Sequence, residues 1–129
     1  MIIDWKDETE LWEFQVPRLR GWWRRLEAVT PEGMPDSFGI FDKQTHWLER
    51  KIGRPSKDAL RPKQIEFGLE CMKRSISYHV CFGYKGDVIF FKDFSFTTRV
   101  YPAFWVQPSE RLSQLVQRSA WAAPIEGGS

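Results

Sequence analysis

The sequence predicts a single α/β domain in which helices flank a mixed β-sheet. Three observations carry that expectation. Its 129 residues leave room for one hydrophobic core and little more. Two segments repeat apolar residues at helical spacing, while several shorter ones, bounded by turn residues, are rich in aromatic and β-branched side chains. The aromatic load, 7 Trp, 3 Tyr and 10 Phe, is far above that of a disordered chain. A helix on each side would bury both faces of such a sheet.

Thr9 is the expected N-cap of the first helix, with Glu10 in the favourable first turn. Leu11, Trp12, Phe14, Val16 and Leu19 supply its apolar face, and Pro17 ends or kinks it near Gln15. After Gly21, residues 22–29 read as a strand, and Thr30-Pro31-Glu32-Gly33 as a turn. Strands are expected over 37–41 and 45–52, with Asp42-Lys43-Gln44 turning between them. Residues 53–60 form a loop. Arg61-Pro62 opens a second helix, with proline where its missing N–H costs little. Ile65, Leu69, Met72 and Ile76, at spacings of 4, 3 and 4, predict its buried stripe. Residues 78–82 and 88–91 are expected to form a hairpin about Gly83–Asp87. Beyond Phe96 the pattern weakens, with a last helix expected over 110–118 and a frayed tail over 125–129.

Composition excludes several classes. No apolar run approaches the ~20 residues of a membrane helix, so neither a span, a signal-peptide core nor a membrane partner is expected. Cys71 and Cys81 form no CxxC pair and too small a set for a disulfide framework, which predicts reduced thiols and a cytoplasmic protein. His46 and His79 fall in separate strand patterns and read as distant packing residues, against a site built on clustered histidines. The net charge is only +2 but is uneven: residues 1–13 carry a balance of −4 and residues 50–63 a balance of +5. A basic stretch of that kind can attract phosphates. Trp22-Trp23 and Phe90-Phe91 read mainly as core, with one member of each pair left for DNA or a second subunit. Phe94, Phe96, Phe104 and Trp105 exceed what so small a core needs and predict a dimer interface.

The chemistry-bearing residues are Met34-Pro35-Asp36, Glu49-Arg50-Lys51 and Leu60-Arg61-Pro62-Lys63-Gln64. Strand alternation puts Glu49 and Lys51 on one face and Arg50 on the other. Pairing strand 37–41 with strand 45–52 brings Asp36 beside Glu49–Lys51. Two adjacent carboxylates call for a cation, and a hard divalent ion prefers oxygen ligands. An ammonium beside them can orient water or neutralise a phosphate in the transition state.

These elements resemble the PD-(D/E)XK nuclease superfamily, and are most similar to its VRR-NUC branch, which includes small stand-alone phage proteins. The branch pattern is PD, then ExK about a dozen residues on, then Pro-x-Gln opening a helix. Here Pro35-Asp36, Glu49-x-Lys51 and Pro62-Lys63-Gln64 fall in that order, with 13 residues from Asp36 to Glu49 and 13 from Lys51 to Gln64. The likeness covers about residues 8–91. It departs at Met34, where many members carry glycine, Gly33 standing one place earlier.

The resemblance implies a restriction-endonuclease-like core, an α-β-β-β-α-β mixed sheet flanked by helices, within one domain over 1–129. A C-terminal hairpin or helix extension over 92–129 would follow. It implies Asp36 and Glu49 as Mg²⁺ ligands, with Mn²⁺ able to substitute, and the Arg50 backbone carbonyl as a further ligand. Lys51 would be the catalytic lysine, and Gln64 would face the site. The family's first-helix acid is matched to Glu10, with Glu8 and Glu13 as rivals. Arg24, Arg25, Arg54, Lys57, Arg61 and Lys63 are the expected phosphate contacts. The implied activity is a metal-dependent DNA endonuclease, a Holliday-junction-resolving homodimer without a small-molecule cofactor, located in the host cytoplasm if phage-encoded. The alternatives are a sequence-specific homing or restriction-type enzyme and a catalytically silent DNA-binding or assembly protein.

Overall fold

In the computed structural model, residues 4–26 and 32–107 are described. They form two α-helices and one five-stranded mixed sheet: α1 (Glu8–Gln15), β1 (Trp22–Arg25), β2 (Ser37–Phe41), β3 (Gln44–Ile52), α2 (Pro62–Lys73), β4 (Ser77–Tyr84) and β5 (Asp87–Phe91). The strands lie in sequence order across the sheet. All neighbours are antiparallel except β3 and β4, which are parallel and joined by the α2 crossover. The expected helix–three strands–helix–two strands order is present. The helix expected over 110–118 and the tail over 125–129 lie outside the described residues.

Local chemistry explains most boundaries. Asp7, rather than Thr9, caps α1, its carboxylate accepting from the Glu10 N–H at 2.8 Å. The Thr9 hydroxyl instead accepts from the Arg25 guanidinium at 3.3 Å. The α-helix ends at Gln15, and Pro17 sits in the short 3₁₀ turn Val16–Arg18 that follows. Both tight hairpins place their two turn residues at positive φ, Asp42 (55°) and Lys43 (63°) in one, Lys85 (50°) and Gly86 (80°) in the other. That twist matches the twist of the flanking strands. β1 stops at Arg25, four residues short of the expected end, and residues 27–31 are not described.

Each face of the sheet carries its own core. On one side Leu11 of α1 packs with Trp5, Leu19, Trp23, Leu48, Cys81, Phe90, Phe104 and Trp105. On the other side Cys71 of α2 packs with Tyr78, Val80, Phe82 and Phe91. The aromatic surplus expected at a dimer interface is thus consumed within the chain. Phe104 and Trp105 are buried, and Phe96 lies 5.1 Å, ring to ring, from both Phe82 and Phe91. Phe94 packs on the same cluster. The core therefore reaches beyond 8–91 at both ends. Phe90 and Phe91 are both buried, whereas Trp22 is exposed and Trp23 is not.

The stripe expected on α2 is rotated. Its buried residues are Gln64, Gly68 and Cys71, while Leu69 is 52% exposed and Ile76, past the helix end, 41%. Close approach decides this. A Cβ on Gly68 would sit 2.5 Å from Phe94 and 2.8 Å from Tyr78, so the helix docks through its small-residue face.

His46 and His79 are not distant. Each ring centroid lies 5.2 Å from that of Phe104. His46 is hydrogen-bonded to the Ser77 hydroxyl (2.6 Å) and the Phe41 carbonyl (3.0 Å), whereas the buried His79 Nδ1 has no partner among the described residues. Burial, then the charges of His46 and Lys92, push the His79 imidazole down to about 4. The unfolded chain then binds the extra proton between about pH 6.5 and 4, so stability falls as pH falls through that window. We expect acidification from pH 6.5 to 4 to cost the wild type about 3 kcal/mol more than His79→Leu, measured by urea denaturation. Parallel pH profiles would refute this.

Candidate functional site

Continuing the β2–β3 register one step beyond Ser37↔Leu48 sets Asp36 opposite Glu49. The residues picked out from the sequence are brought together there. Glu49 and Lys51 share the α2 face, with Lys51 Nζ 3.8 Å from Glu49 Oε2. Gln64, in the first turn of α2, donates to the same oxygen at 3.4 Å. Its carbonyl oxygen accepts from the Arg61 N–H at 2.8 Å, so this one side chain caps the helix and reaches the acid.

Arg50 points to the opposite face, as alternation requires, but it is completely buried there. Its Nη1 donates to Asp36 Oδ1 at 2.9 Å and its backbone N–H to Asp36 Oδ2 at 3.1 Å. Nη2 donates to the Ser37 hydroxyl at 3.1 Å, and Nε donates to the Gln15 carbonyl oxygen. The Trp12 ring lies 4.5 Å from the guanidinium carbon. Gln15 also donates to Cys81 Sγ at 3.3 Å. Gln15 is a fully buried polar residue that inspection of the α1 apolar face overlooks.

The first-helix acid whose charge couples to Asp36 and Glu49 is Glu8, not Glu10. Glu10 is exposed and accepts from the Lys6 N–H at 2.7 Å, and Glu13 is exposed as well. Glu8 is partly buried, and its carboxyl is raised by that burial and by the charge of Asp36, against Lys51, Arg50 and Arg25. The signal was present in the spacing. Residues 8, 11, 12 and 15 lie on one helical face, whereas residue 10 does not.

Burial, then Asp36, push the Glu49 carboxyl up to about 8, with Lys51 opposing and Glu8 adding to the rise. Burial also raises Asp36, against the pull of the Arg50 guanidinium and N–H. Glu49 Oε1 is buried without a partner among the described residues. Glu8, Asp36 and Glu49 thus share one neighbourhood with Lys51, Arg50 and Arg25, and one inward carboxylate oxygen is unmatched. No ready-made cluster of three or more His, Cys, Asp or Glu ligands occurs among the described residues. The oxygens that a hard cation could use are the free Glu49 Oε1 and the lone pairs that Asp36 keeps beyond its two hydrogen bonds.

The basic residues separate into two groups. Arg54, Lys57, Arg61 and Lys63 are exposed between β3 and the first turn of α2, Lys63 lying 3.4 Å from Glu66. Arg24 is exposed on the α2 face of β1, while Arg25 faces α1. A cavity of about 690 Å³ lies toward the other end of β3, lined by His46, Tyr78, His79 and Phe104 among others, and is separate from the acids.

The chain matches no protein-family model and no curated protein sequence.

Two expectations follow from this geometry. In EDTA, Glu49→Gln should melt higher than the wild type at pH 8, with the gap closing toward pH 4.5. The native state keeps the buried carboxyl protonated while the unfolded chain ionises, so stability falls as pH rises from 4.5 to about 8. An identical midpoint at pH 8 would contradict the raised value. Arg50→Met should cost about 3–5 kcal/mol in urea denaturation at pH 7, because Asp36 and Gln15 lose their buried donors. A cost below about 1 kcal/mol would show the guanidinium to be dispensable.

Proposed function

We propose that this protein is a metal-dependent DNA endonuclease of the PD-(D/E)XK type, with Asp36, Glu49 and Lys51 as its reaction centre. The observation that carries the reading is the meeting of Glu49, Lys51 and Gln64 beside Asp36, with Glu49 Oε1 buried and unmatched. Glu8 replaces Glu10 as the accessory acid. The donor set fits one hard divalent ion such as Mg²⁺ or Mn²⁺, held by Asp36 and Glu49. Bound there, such an ion would supply Lewis-acid polarisation of the phosphate and would lower the pKa of water.

The side chains supply the rest. Lys51 Nζ, anchored 3.8 Å from Glu49, donates hydrogen bonds to a phosphate oxygen as its negative charge grows. Gln64 and Lys51 hold the Glu49 carboxylate in one orientation. Arg50 holds Asp36 through both of its oxygens. Water adds to phosphorus, a phosphorus–oxygen bond to the sugar breaks, and the fragments end in a phosphate and a hydroxyl. The water proton passes to solvent or to the leaving oxygen. Arg54, Lys57, Arg61 and Lys63 contribute a basic rim for the backbone. A junction-resolving homodimer is the proposed assembly, since symmetric cutting of two strands needs two sites related by a two-fold axis.

One observation favours a second reading. Both Asp36 oxygens already accept from Arg50, so a fixed guanidinium supplies positive charge where a metal would. A catalytically silent DNA-binding or assembly protein would use the site in that way.

The deciding experiment is a cleavage panel of four-way junction, flap, splayed arm and linear duplex with Mg²⁺, Mn²⁺ or EDTA. We expect divalent-dependent cutting that Asp36→Asn and Lys51→Met each reduce about 10²-fold or more, with circular dichroism unchanged. Binding without cleavage on all four substrates would select the silent reading. Undiminished cutting by Asp36→Asn would remove the site assignment.

A further inference from the structure

The α2 face of the sheet carries a second feature beside the acids. Strand alternation and register put Trp22, Arg24, Phe38, Ile40 and Trp47 on the same face as Glu49 and Lys51. Trp22 is 47% exposed and Ile40 48%, and Phe38 and Trp47 are partly open to solvent. The rings form a continuous row across three strands: Trp22 to Phe38 at 6.1 Å and Phe38 to Trp47 at 5.6 Å, ending against Phe67 of α2 at 5.3 Å.

Two large exposed apolar side chains side by side on an edge pair are costly to keep in water, and α2 leaves them uncovered. The row also carries positive charge. The Arg24 guanidinium carbon lies 4.2 Å from the Trp22 ring centroid, and no carboxylate pairs with it among the described residues. Trp47 is two residues from Glu49 on β3, and Phe38 two residues from Asp36, so the rings end about one pleat repeat, ~7 Å, from the acids. An aromatic row leading into a phosphate-handling centre and bearing an arginine that donates to the Trp23 carbonyl at 3.0 Å but meets no carboxylate among the described residues matches one kind of occupant. Unpaired bases stack on the rings while the cation meets the backbone. Paired bases cannot offer their faces in this way.

We propose that Trp22, Phe38 and Trp47, with Arg24, form a stacking platform for a short run of unpaired nucleotides that leads the strand to Asp36 and Glu49. The platform rests on the nuclease reading for the direction of the strand, but its binding is measurable without cleavage. It makes the substrate class DNA with single-stranded character, such as a splayed or branched end.

The test is fluorescence anisotropy in EDTA with a labelled short oligothymidylate and, separately, a blunt duplex of mixed sequence. The wild type should bind the single strand more tightly than the duplex. Trp22→Ala should weaken single-strand binding about ten- to hundredfold, while Trp22→Phe, which keeps a ring, stays within about threefold. Duplex affinity and the circular dichroism spectrum should not change. Because anisotropy in EDTA requires no cutting, a failed cleavage assay leaves this result intact. Unchanged single-strand affinity in Trp22→Ala overturns the platform. So does a shift from dimer to monomer in light scattering with no loss of affinity, because the face would then join two copies of the chain.

Discussion

A single buried cation organises this domain. The Arg50 guanidinium is fully enclosed, and an unpaired charge there would cost several kcal/mol. Asp36 at the start of β2, Ser37, Gln15 at the end of α1 and the Trp12 ring all satisfy it. These contacts tie helix and strands together at one point, and they fix which way Asp36 faces. The neighbouring residues of β3 inherit the consequence. With Arg50 turned inward, alternation sends Glu49 and Lys51 to the other side, where Gln64 and Lys51 both meet Glu49. The scaffold and the candidate centre are therefore two sides of one tripeptide.

That arrangement places opposing charge demands on a small volume. Glu49 lies in a desolvated setting that favours its protonated form, beside an aspartate already claimed by a guanidinium. Acids held close together in a desolvated setting repel, and here Arg50 and Lys51 offset part of that repulsion. The same sheet presents both the acids and the exposed aromatic row, because period-two alternation repeats a face along each strand and register aligns it across strands. The four-residue β1 leaves that face open, while α2 packs on the β3–β5 half.

Much of this was legible in the sequence, and the failures have specific causes. Helix–strand order, the two hairpins and the halt before Pro17 follow from local turn chemistry and backbone sterics. The approach of Asp36 to Glu49 followed from hairpin pairing alone. The α2 stripe failed because apolar spacing counts large side chains, whereas Gly68 and Cys71 permit the closest approach. The choice of Glu10 failed because preceding an aromatic face in the chain is not the same as sharing it, and Glu8 is on the turn that Leu11 and Gln15 continue. The aromatic surplus failed as an interface because residues 104–105 return to the first core, a non-local contact that no short-range pattern encodes.

The chain by itself determined its elements, the alternation that separates Glu49 and Lys51 from Arg50, and the order of its charged motifs, since those depend on neighbours within a few residues. Tertiary structure alone decided that Arg50 would be buried rather than exposed, that Gln15 would meet it, and that His46 and His79 would share Phe104. Each of those outcomes depends on which surfaces exclude water together. That is a property of the closed packing of sheet, helices and the returning segment, and it has no local signature in the order of residues.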